Sequence, residues 1–129
     1  MNLVVFGHGY SASRFVALNL PRFAAVCVTT RSANRAAVLE NQGVTARVFG
    51  PDHADPALAT AVAQAHAILV SVPPDAVGDP VLHSYADAIA AAHGLRWIGY
   101  YSTVGVYGDH AGAWVDETTP CRPVSERSV

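Results

Sequence analysis

The chain has 129 residues, a length typical of one domain, and 51% of them are hydrophobic, which is enough to bury a core. Only 14% of the residues are charged and the formal net charge is -2, which argues against a nucleic-acid-binding or anionic membrane-binding protein. The apolar stretches are too interrupted for a membrane span, and no secretory signal pattern is present. Cys27 and Cys121 match neither a metal spacing nor a disulfide framework. We therefore expect a cytoplasmic protein without nucleic-acid or membrane partners.

Short apolar runs alternate with alanine-rich helical segments along the chain. The predicted strands cover residues 3–6, 24–29, 45–49, 67–72 and 96–102. The predicted helices cover residues 11–20, 33–41, 56–65 and 81–93. Asp55 and Pro56 have the order of a capping residue followed by a first helical residue. After residue 102 the sequence is typical of loops.

Strands and helices in this alternation predict an α/β fold with a doubly wound parallel sheet. Right-handed crossovers give the strand order 3-2-1-4-5. The sixth strand of the usual sheet has no counterpart, so we expect a single domain over residues 1–129 whose sheet is incomplete at the C-terminal side. The open sheet edge favours either pairing between copies, as a homo-oligomer, or instability.

The first predicted strand leads directly into a glycine-containing turn. Its sequence is Gly7, His8, Gly9, Tyr10, Ser11 and Ala12. A Gly-x-Gly-x-x-Ala pattern between a strand and a helix is typical of the phosphate-binding turn of a Rossmann dinucleotide-binding domain. Gly7 suits the tight turn, Gly9 lets the backbone approach a pyrophosphate, and Ala12 allows close packing of helix on strand, while the first N–H groups of the helix bind phosphate. The alternative is a strand-helix turn that binds nothing.

The residues after the second strand decide between the two nicotinamide dinucleotides. An NAD site has a carboxylate there, which binds the ribose hydroxyl. This chain has Thr30, Arg31 and Ser32, with Arg35 one helical turn further on, and no Asp or Glu from residue 24 to residue 39. The arginines can pair with a 2'-phosphate while a hydroxyl group donates a further contact. We therefore predict NADP as the cofactor, with NAD as the alternative if both arginines are only solvated.

Val72 is the last residue of the fourth predicted strand, and Pro73 and Pro74 follow it at the sheet edge where ligands of open α/β sheets bind. A rigid loop at that position can form a wall against the nicotinamide ribose. The alternative is that the two prolines only end the strand.

Two further segments carry a resemblance to a known family. Residues 101–109 read Tyr-Ser-Thr-Val-Gly-Val-Tyr-Gly-Asp, and residues 114–120 read Trp-Val-Asp-Glu-Thr-Thr-Pro. With the glycine turn and the strand at 67–72, they resemble the extended and atypical short-chain dehydrogenases/reductases, the NAD-dependent epimerase/dehydratase family. The resemblance covers essentially the whole chain and identifies it as the N-terminal Rossmann part of a longer family fold.

The resemblance implies hydride transfer between a nicotinamide dinucleotide and a small substrate, at a carbonyl or a sugar-like alcohol. It also implies that a hydroxyl residue shortly before the Val-Tyr-Gly tyrosine hydrogen-bonds the substrate oxygen, which is Thr103, with Ser102 as its neighbour. A positioned hydroxyl donor stabilises the negative charge that develops on that oxygen. The alternative is that both hydroxyl groups only form hydrogen bonds where the chain leaves the fifth strand.

One family feature is missing. Family members usually carry a Tyr-x-x-x-Lys pair about twenty residues after the Val-Tyr-Gly segment, for proton transfer. Counting forward from Tyr107 leads to Arg127, and the chain contains no lysine. Either the chain is a truncated form of a longer protein, or it resembles the atypical members that lack the tyrosine. The leading hypothesis is an NADP-linked oxidoreductase or epimerase-like protein, and the alternative is a non-catalytic dinucleotide-binding sensor or regulator.

The histidines do not predict a metal site, because no two of the six stand three or four residues apart. His8 differs from the others, since it lies inside the predicted phosphate turn. We expect it either to contact the cofactor or to face solvent.

Overall fold

The computed structural model describes residues 1–50, 53, 55–125 and 128. Within these residues the strands are β1 Asn2–Phe6, β2 Ala25–Thr30, β3 Thr45–Val48, β4 Ala67–Val70 and β5 Trp97–Tyr100. The helices are α1 Tyr10–Asn19, α2 Ala33–Glu40, α3 Pro56–Ala63 and α4 Pro80–Ala90. Short 3-10 turns, Leu20–Arg22 and Val104–Tyr107, follow α1 and β5. No helix in this described part of the chain is long and apolar enough to cross a membrane.

All neighbouring strands are parallel, and the sheet has the order β3-β2-β1-β4-β5. β1 is central, pairing with β2 on one side and with β4 on the other. The predicted doubly wound α/β fold and its strand order are confirmed. Because the chain leaves β1 toward β2 and later returns to β4, the loops after β1 and β4 diverge at the sheet centre, the place where such folds bind ligands.

Helices cover both faces of the sheet. Leu3 and Val5 of β1 pack with α1 and α2, whereas Val4 and Phe6 pack with α3 and α4. Successive side chains of a strand point to opposite faces, so a strand buried on both faces needs an uninterrupted apolar run. This explains why the inner strands could be recognised in the sequence.

β4 and β5 both end two residues earlier than predicted. Gly7, with a φ of +86°, turns the chain out of the sheet directly after β1. Ser71 still donates a backbone hydrogen bond of 2.8 Å to the Phe6 carbonyl, and Tyr101 donates one of 2.9 Å to the Val70 carbonyl. Beyond these bonds β4 no longer has β1 beside it, and β5 no longer has β4 beside it. Both segments therefore leave the sheet.

Aspartates cap the two helices on one face of the sheet. The Asp55 carboxylate accepts hydrogen bonds of 2.9 and 3.3 Å from two backbone N–H groups in the first turn of α3, and Pro56 is the first helical residue, as predicted. Asp79 and Pro80 repeat this arrangement at α4, which therefore begins one residue earlier than expected.

β5 is an edge strand whose side chains are largely uncovered. Trp97, Ile98 and Tyr100 are 45%, 55% and 46% exposed. The Trp97 indole lies across Gly99 and stacks on the Phe15 ring of α1 with 6.3 Å between ring centroids. Apolar surface thus remains on both faces of the sheet at β5, in agreement with the exposed edge expected from the sequence.

Replacing the α3 cap tests the helix start. We expect Asp55→Ala to lower the free energy of unfolding by about 1 kcal/mol, because two N–H groups of α3 lose their acceptor. Asp55→Asn keeps an acceptor oxygen at the same place and should retain most of the stability. Urea unfolding followed by circular dichroism measures both variants, and an equal loss in both would contradict the capping role.

Candidate functional site

The loops after β1, β2, β4 and β5 meet at the carboxyl edge of the sheet, because their strands are parallel and adjacent. Residues 7–9, 31–32, 71–79 and 101–103 belong to these loops. The structure therefore gathers the residues selected from the sequence at one edge, in two groups. One group surrounds the β1–α1 turn, and the other lines a cleft between the ends of β4 and β5.

Gly7 is fixed from both sides. Its N–H donates a 2.8 Å hydrogen bond to the Thr29 Oγ1 of β2. On the other side, a Cβ added at Gly7 would lie 3.0 Å from a methyl carbon of Val72, and the φ of +86° disfavours any side chain. Thr29, only 1% exposed, was missed by sequence reasoning. The signal was available: it is a hydroxyl residue near the end of an otherwise apolar inner strand.

Gly9 begins α1 and leaves its N-terminus open. No side chain caps this helix, whereas a side chain caps each of α2, α3 and α4. A Cβ added at Gly9 would meet no atom within 4 Å. Tyr10 and Ser11 are exposed, and Ala12 is fully buried in the core between helix and sheet. The first N–H groups of α1 therefore face open space above a closely packed helix.

His8 lies between the two glycines and is half-buried. Its Nδ1 atom is buried without a hydrogen-bond partner among the described residues. Burial, and secondly the positive charge of Arg35, lower the pKa of the His8 imidazole. The β1–α1 turn thus contains a half-buried imidazole with one nitrogen that no described residue satisfies.

The segment after β2 forms the start of α2. The Ser32 hydroxyl accepts a 3.4 Å hydrogen bond from the Arg35 backbone N–H, and the Thr30 hydroxyl accepts one of 3.4 Å from the Ser32 N–H. Both hydroxyl groups retain a hydrogen to donate. The side chains of Arg31 and Arg35 are exposed. Because β2 is the neighbour of β1 in the parallel sheet, this segment leaves the sheet at the same edge as the β1–α1 turn.

A cleft of about 490 Å³ opens between the ends of β4 and β5. It is lined by Ser71, Pro73, Pro74, Tyr100, Tyr101, Ser102, Thr103, Val106 and Ser128. The two prolines face the cleft together with the hydroxyl residues that follow β5. Val72 is not one of the lining residues; it packs against Gly7 and the core on the α3 and α4 side of the sheet.

Thr103 has a structural role that leaves its hydroxyl hydrogen available. Its Oγ1 accepts a 3.1 Å hydrogen bond from the Gly105 N–H and so caps the 3-10 turn Val104–Tyr107. An oxygen that accepts in this way can still donate its own hydrogen toward the cleft. Ser102 is exposed at the same place.

Two tyrosines at the cleft were missed by sequence reasoning. Tyr100 and Tyr101 both line it, although consecutive strand residues point to opposite faces, because the chain leaves the sheet after β5. Tyr107 is half-buried in the 3-10 turn. The resemblance leads one to look for a Tyr-x-x-x-Lys pair near Arg127. This residue lies outside the described residues.

A second, shallower groove of about 430 Å³ runs along α1. Its lining residues are His8, Tyr10, Ser13, Arg14, Val16, Ala17, Leu20, Gln42 and Val44. The groove connects the phosphate turn with the loop between α2 and β3, so His8 borders both the turn and this surface.

Within residues 1–50, 53, 55–125 and 128, no three His, Cys, Asp or Glu side chains come close enough to hold a metal ion. Burial raises the pKa of the Cys27 thiol to about 11, so this thiol is protonated at neutral pH and is a poor nucleophile. The chemistry of the described site therefore depends on backbone N–H groups, hydroxyl groups, His8 and the arginines.

No protein-family model matches the chain, and no curated protein matches it. Solved structures do. A functionally unknown conserved protein from Silicibacter pomeroyi DSS has a TM-score of 0.76 and 37% identity, over 98% of this chain and 43% of that protein. The chain thus spans less than half of the length of this similar protein.

Two further solved structures are similar at lower identity. SsCR_L211H has a TM-score of 0.61 and 19% identity, over 82% of this chain and 38% of that chain. A reductase engineered to attenuate substrate inhibition in asymmetric catalysis has a TM-score of 0.61 and 21% identity over the same shares. The fold is of the Rossmann type. Membership of the short-chain dehydrogenase/epimerase family and the choice of NADP remain predictions.

The bond between Gly7 and Thr29 gives a direct test of how the turn is held. We expect Thr29→Val to lower the free energy of unfolding by about 1–3 kcal/mol, because a buried N–H group loses its acceptor while the side-chain volume hardly changes. The Gly7 amide should also exchange its hydrogen faster, as measured by NMR. Thr29→Ser keeps the hydroxyl and should protect this amide nearly as well as the wild type; similar exchange rates in the Val and Ser variants would contradict the role of the hydroxyl.

Proposed function

We propose that this chain binds a nicotinamide dinucleotide at the β1–α1 turn, with NADP preferred over NAD. The observation that carries the proposal is the uncapped start of α1 after Gly9, where an added Cβ meets no atom of the described residues within 4 Å. A helix N-terminus without a side-chain cap offers N–H groups and the positive end of its dipole to an anion. The open space allows a pyrophosphate to approach the backbone closely.

The fit can be judged on two features of the turn. Gly7 is held by Thr29 and by the packing of Val72, so the turn is rigid before any ligand binds. The buried Nδ1 of His8 has no partner among the described residues, so water or a bound group is needed to satisfy it. Rigid donors around an open space fit a phosphate group better than a turn that only connects two elements.

The preference for NADP is argued from the segment after β2. Arg31 and Arg35 are exposed at the start of α2, and Thr30 and Ser32, which both carry hydroxyl groups, flank Arg31 in the sequence. No carboxylate occurs from residue 24 to residue 39, so a ribose 2'-hydroxyl has no acidic partner there, whereas a 2'-phosphate has two cations.

We further propose an oxidoreductase or epimerase-like activity of the short-chain dehydrogenase type at a carbonyl or sugar-like alcohol. The bound dinucleotide supplies or accepts the hydride. Thr103, whose oxygen is held by the Gly105 N–H, donates its hydroxyl hydrogen to the substrate oxygen, with Ser102 as a second donor. Pro73 and Pro74 line the same cleft.

A non-catalytic dinucleotide sensor or regulator is the second candidate. It requires only the β1–α1 turn, whose open helix start is the best supported part of the candidate site. An assay of hydride transfer to carbonyl compounds distinguishes the two candidates. The consumption of NADPH is measured by its absorbance. Tight NADPH binding without turnover would favour the sensor.

Filling the open space at Gly9 tests the phosphate site. The residue has a φ of -80° and a ψ of -169°, an extended conformation that any residue adopts. We expect Gly9→Val to leave the melting temperature almost unchanged and to weaken dinucleotide binding about tenfold or more, because its side chain occupies the path of the pyrophosphate. Gly9→Ala should have a smaller effect. NADPH fluorescence titration measures the affinity, and unchanged binding by Gly9→Val would place the ligand elsewhere.

Removing the arginines tests the cofactor preference. We expect Arg31→Ala and Arg35→Ala each to weaken NADPH binding about tenfold and to leave NADH binding nearly unchanged, since a charge-assisted contact to the 2'-phosphate is lost. Arg22→Ala, in the 3-10 turn that precedes β2 at the opposite edge of the sheet, changes the net charge equally and serves as control. Equal affinities of the wild type for NADPH and NADH would refute the preference.

A further inference from the structure

The lining of the cleft between β4 and β5 narrows the class of compound that the proposed reaction takes. We propose that this cleft binds a substrate whose carbonyl carbon carries a flat aromatic or conjugated group, and that Tyr101 selects this group. The inference rests on the proposed function, because it names the substrate class of the same site. It assigns the carbonyl oxygen to the hydroxyl groups of Ser102 and Thr103, and the flat group to the tyrosine ring.

Tyr101 lies at the centre of a tight turn that follows β5. Its own N–H donates a 2.9 Å hydrogen bond to the Val70 carbonyl of β4, which holds its backbone beside the sheet. The next N–H, that of Ser102, donates a 3.2 Å hydrogen bond to the Tyr100 carbonyl two residues back. A bond over two residues is that of a γ-turn, which is common where a strand ends. This turn explains why the consecutive residues Tyr100 and Tyr101 both line the cleft, although strand neighbours point to opposite faces.

The two tyrosine rings have surface left for a ligand. Tyr101 is 42% exposed and Tyr100 is 46% exposed. In the part of the chain that the structure describes, the stacked or edge-to-face aromatic pairs do not include either ring. An aromatic ring that borders a cleft in this way gains by burying its face against a second flat group.

The segment after β4 adds apolar surface that is already in place. Pro73 and Pro74 line the same cleft, and a proline offers ring carbons but no backbone N–H. The residues that follow are fixed by the Asp75 carboxylate, which accepts hydrogen bonds of 2.8 and 3.1 Å from the N–H groups of Val77 and Gly78. The prolines are therefore positioned before a ligand binds, as in most small-molecule sites.

Hydroxyl groups line the cleft together with these rings. Ser102 and Thr103 directly follow Tyr101, and the 3.1 Å hydrogen bond from the Gly105 N–H fixes the position of the Thr103 Oγ1. Hydroxyl donors suit a carbonyl oxygen, and the adjacent ring suits a flat group on the same carbon. A sugar-like alcohol fits this lining less well, because it carries hydroxyl groups around its whole edge and the prolines have no N–H to donate to them.

Three small ligands test the inference by NMR titration of the 129-residue chain, with and without NADP⁺. Acetophenone carries an aromatic ring on its carbonyl carbon, cyclohexyl methyl ketone carries a saturated ring of similar size, and galactose represents the sugar-like alcohols. We expect the wild type to bind acetophenone about threefold to tenfold more tightly than cyclohexyl methyl ketone, the range of an aromatic contact beyond its buried area. The largest shifts of backbone amide signals should occur at Tyr101, Ser102 and Thr103.

Two variants of Tyr101 separate the ring from the phenol hydroxyl. Tyr101→Leu removes the ring, so we expect it to bind acetophenone about threefold to tenfold more weakly and to lose the discrimination between the two ketones. Tyr101→Phe keeps the ring and should retain the discrimination. Trp114→Leu is the control for unspecific aromatic contact, because Trp114 is 100% exposed and does not line the cleft. Equal melting temperatures in circular dichroism show that the variants are folded.

The outcomes separate this inference from the proposed function. No binding of either ketone, equal affinity for both, equal binding by wild type and Tyr101→Leu, or tighter binding of galactose overturns the role of Tyr101 and leaves the dinucleotide site standing. Discrimination that is lost in Tyr101→Leu and kept in Tyr101→Phe supports the inference. If acetophenone then binds but no NADPH is consumed, the proposed reaction fails while the ligand class of the cleft stands.

Discussion

The hydrogen bond from the Gly7 N–H to the Thr29 hydroxyl is the contact on which the geometry of the site depends. It ties the end of the central strand to β2, while Val72 and the backbone of Ser71 close the other side of the same glycine. The β1–α1 turn is therefore held between both neighbours of β1. A turn fixed in this way presents the start of α1, with its uncapped N–H groups, in one orientation.

Most of the fold could be predicted from the amino-acid sequence because the inner strands are buried on both faces. Such strands require unbroken apolar runs, and the runs at β1 and β4 stand out against alanine-rich helices. The ends of β4 and β5 were predicted too far along the chain, because apolar residues continue beyond the point where the neighbouring strand turns away. The end of a strand depends on where its neighbouring strand in the sheet ends. The residues of the strand itself carry no information about that neighbour.

The two groups of the candidate site differ in how far the sequence could describe them. The glycine turn is local, so the spacing of Gly7, Gly9 and Ala12 was sufficient to recognise it. Thr29, Tyr100 and Tyr101 were missed because their positions matter only through strands that lie next to one another in the sheet. Val72 and the two prolines were expected to act together, but they lie in different places. Val72 packs against Gly7, whereas the prolines line the cleft.

The two groups of the candidate site follow strands that differ in how easily they unfold locally. β5, which is largely uncovered, opens more easily than β1. β1 has a partner on each side and buried side chains, so its amides can exchange with water only when most of the domain unfolds. β5 has one partner and exposed aromatic residues, so it can separate at a much smaller cost. The β1–α1 turn is thus attached to the most firmly held strand, whereas Ser102 and Thr103 follow a weakly held one. The two groups of the candidate site therefore differ in how much free energy their local opening costs.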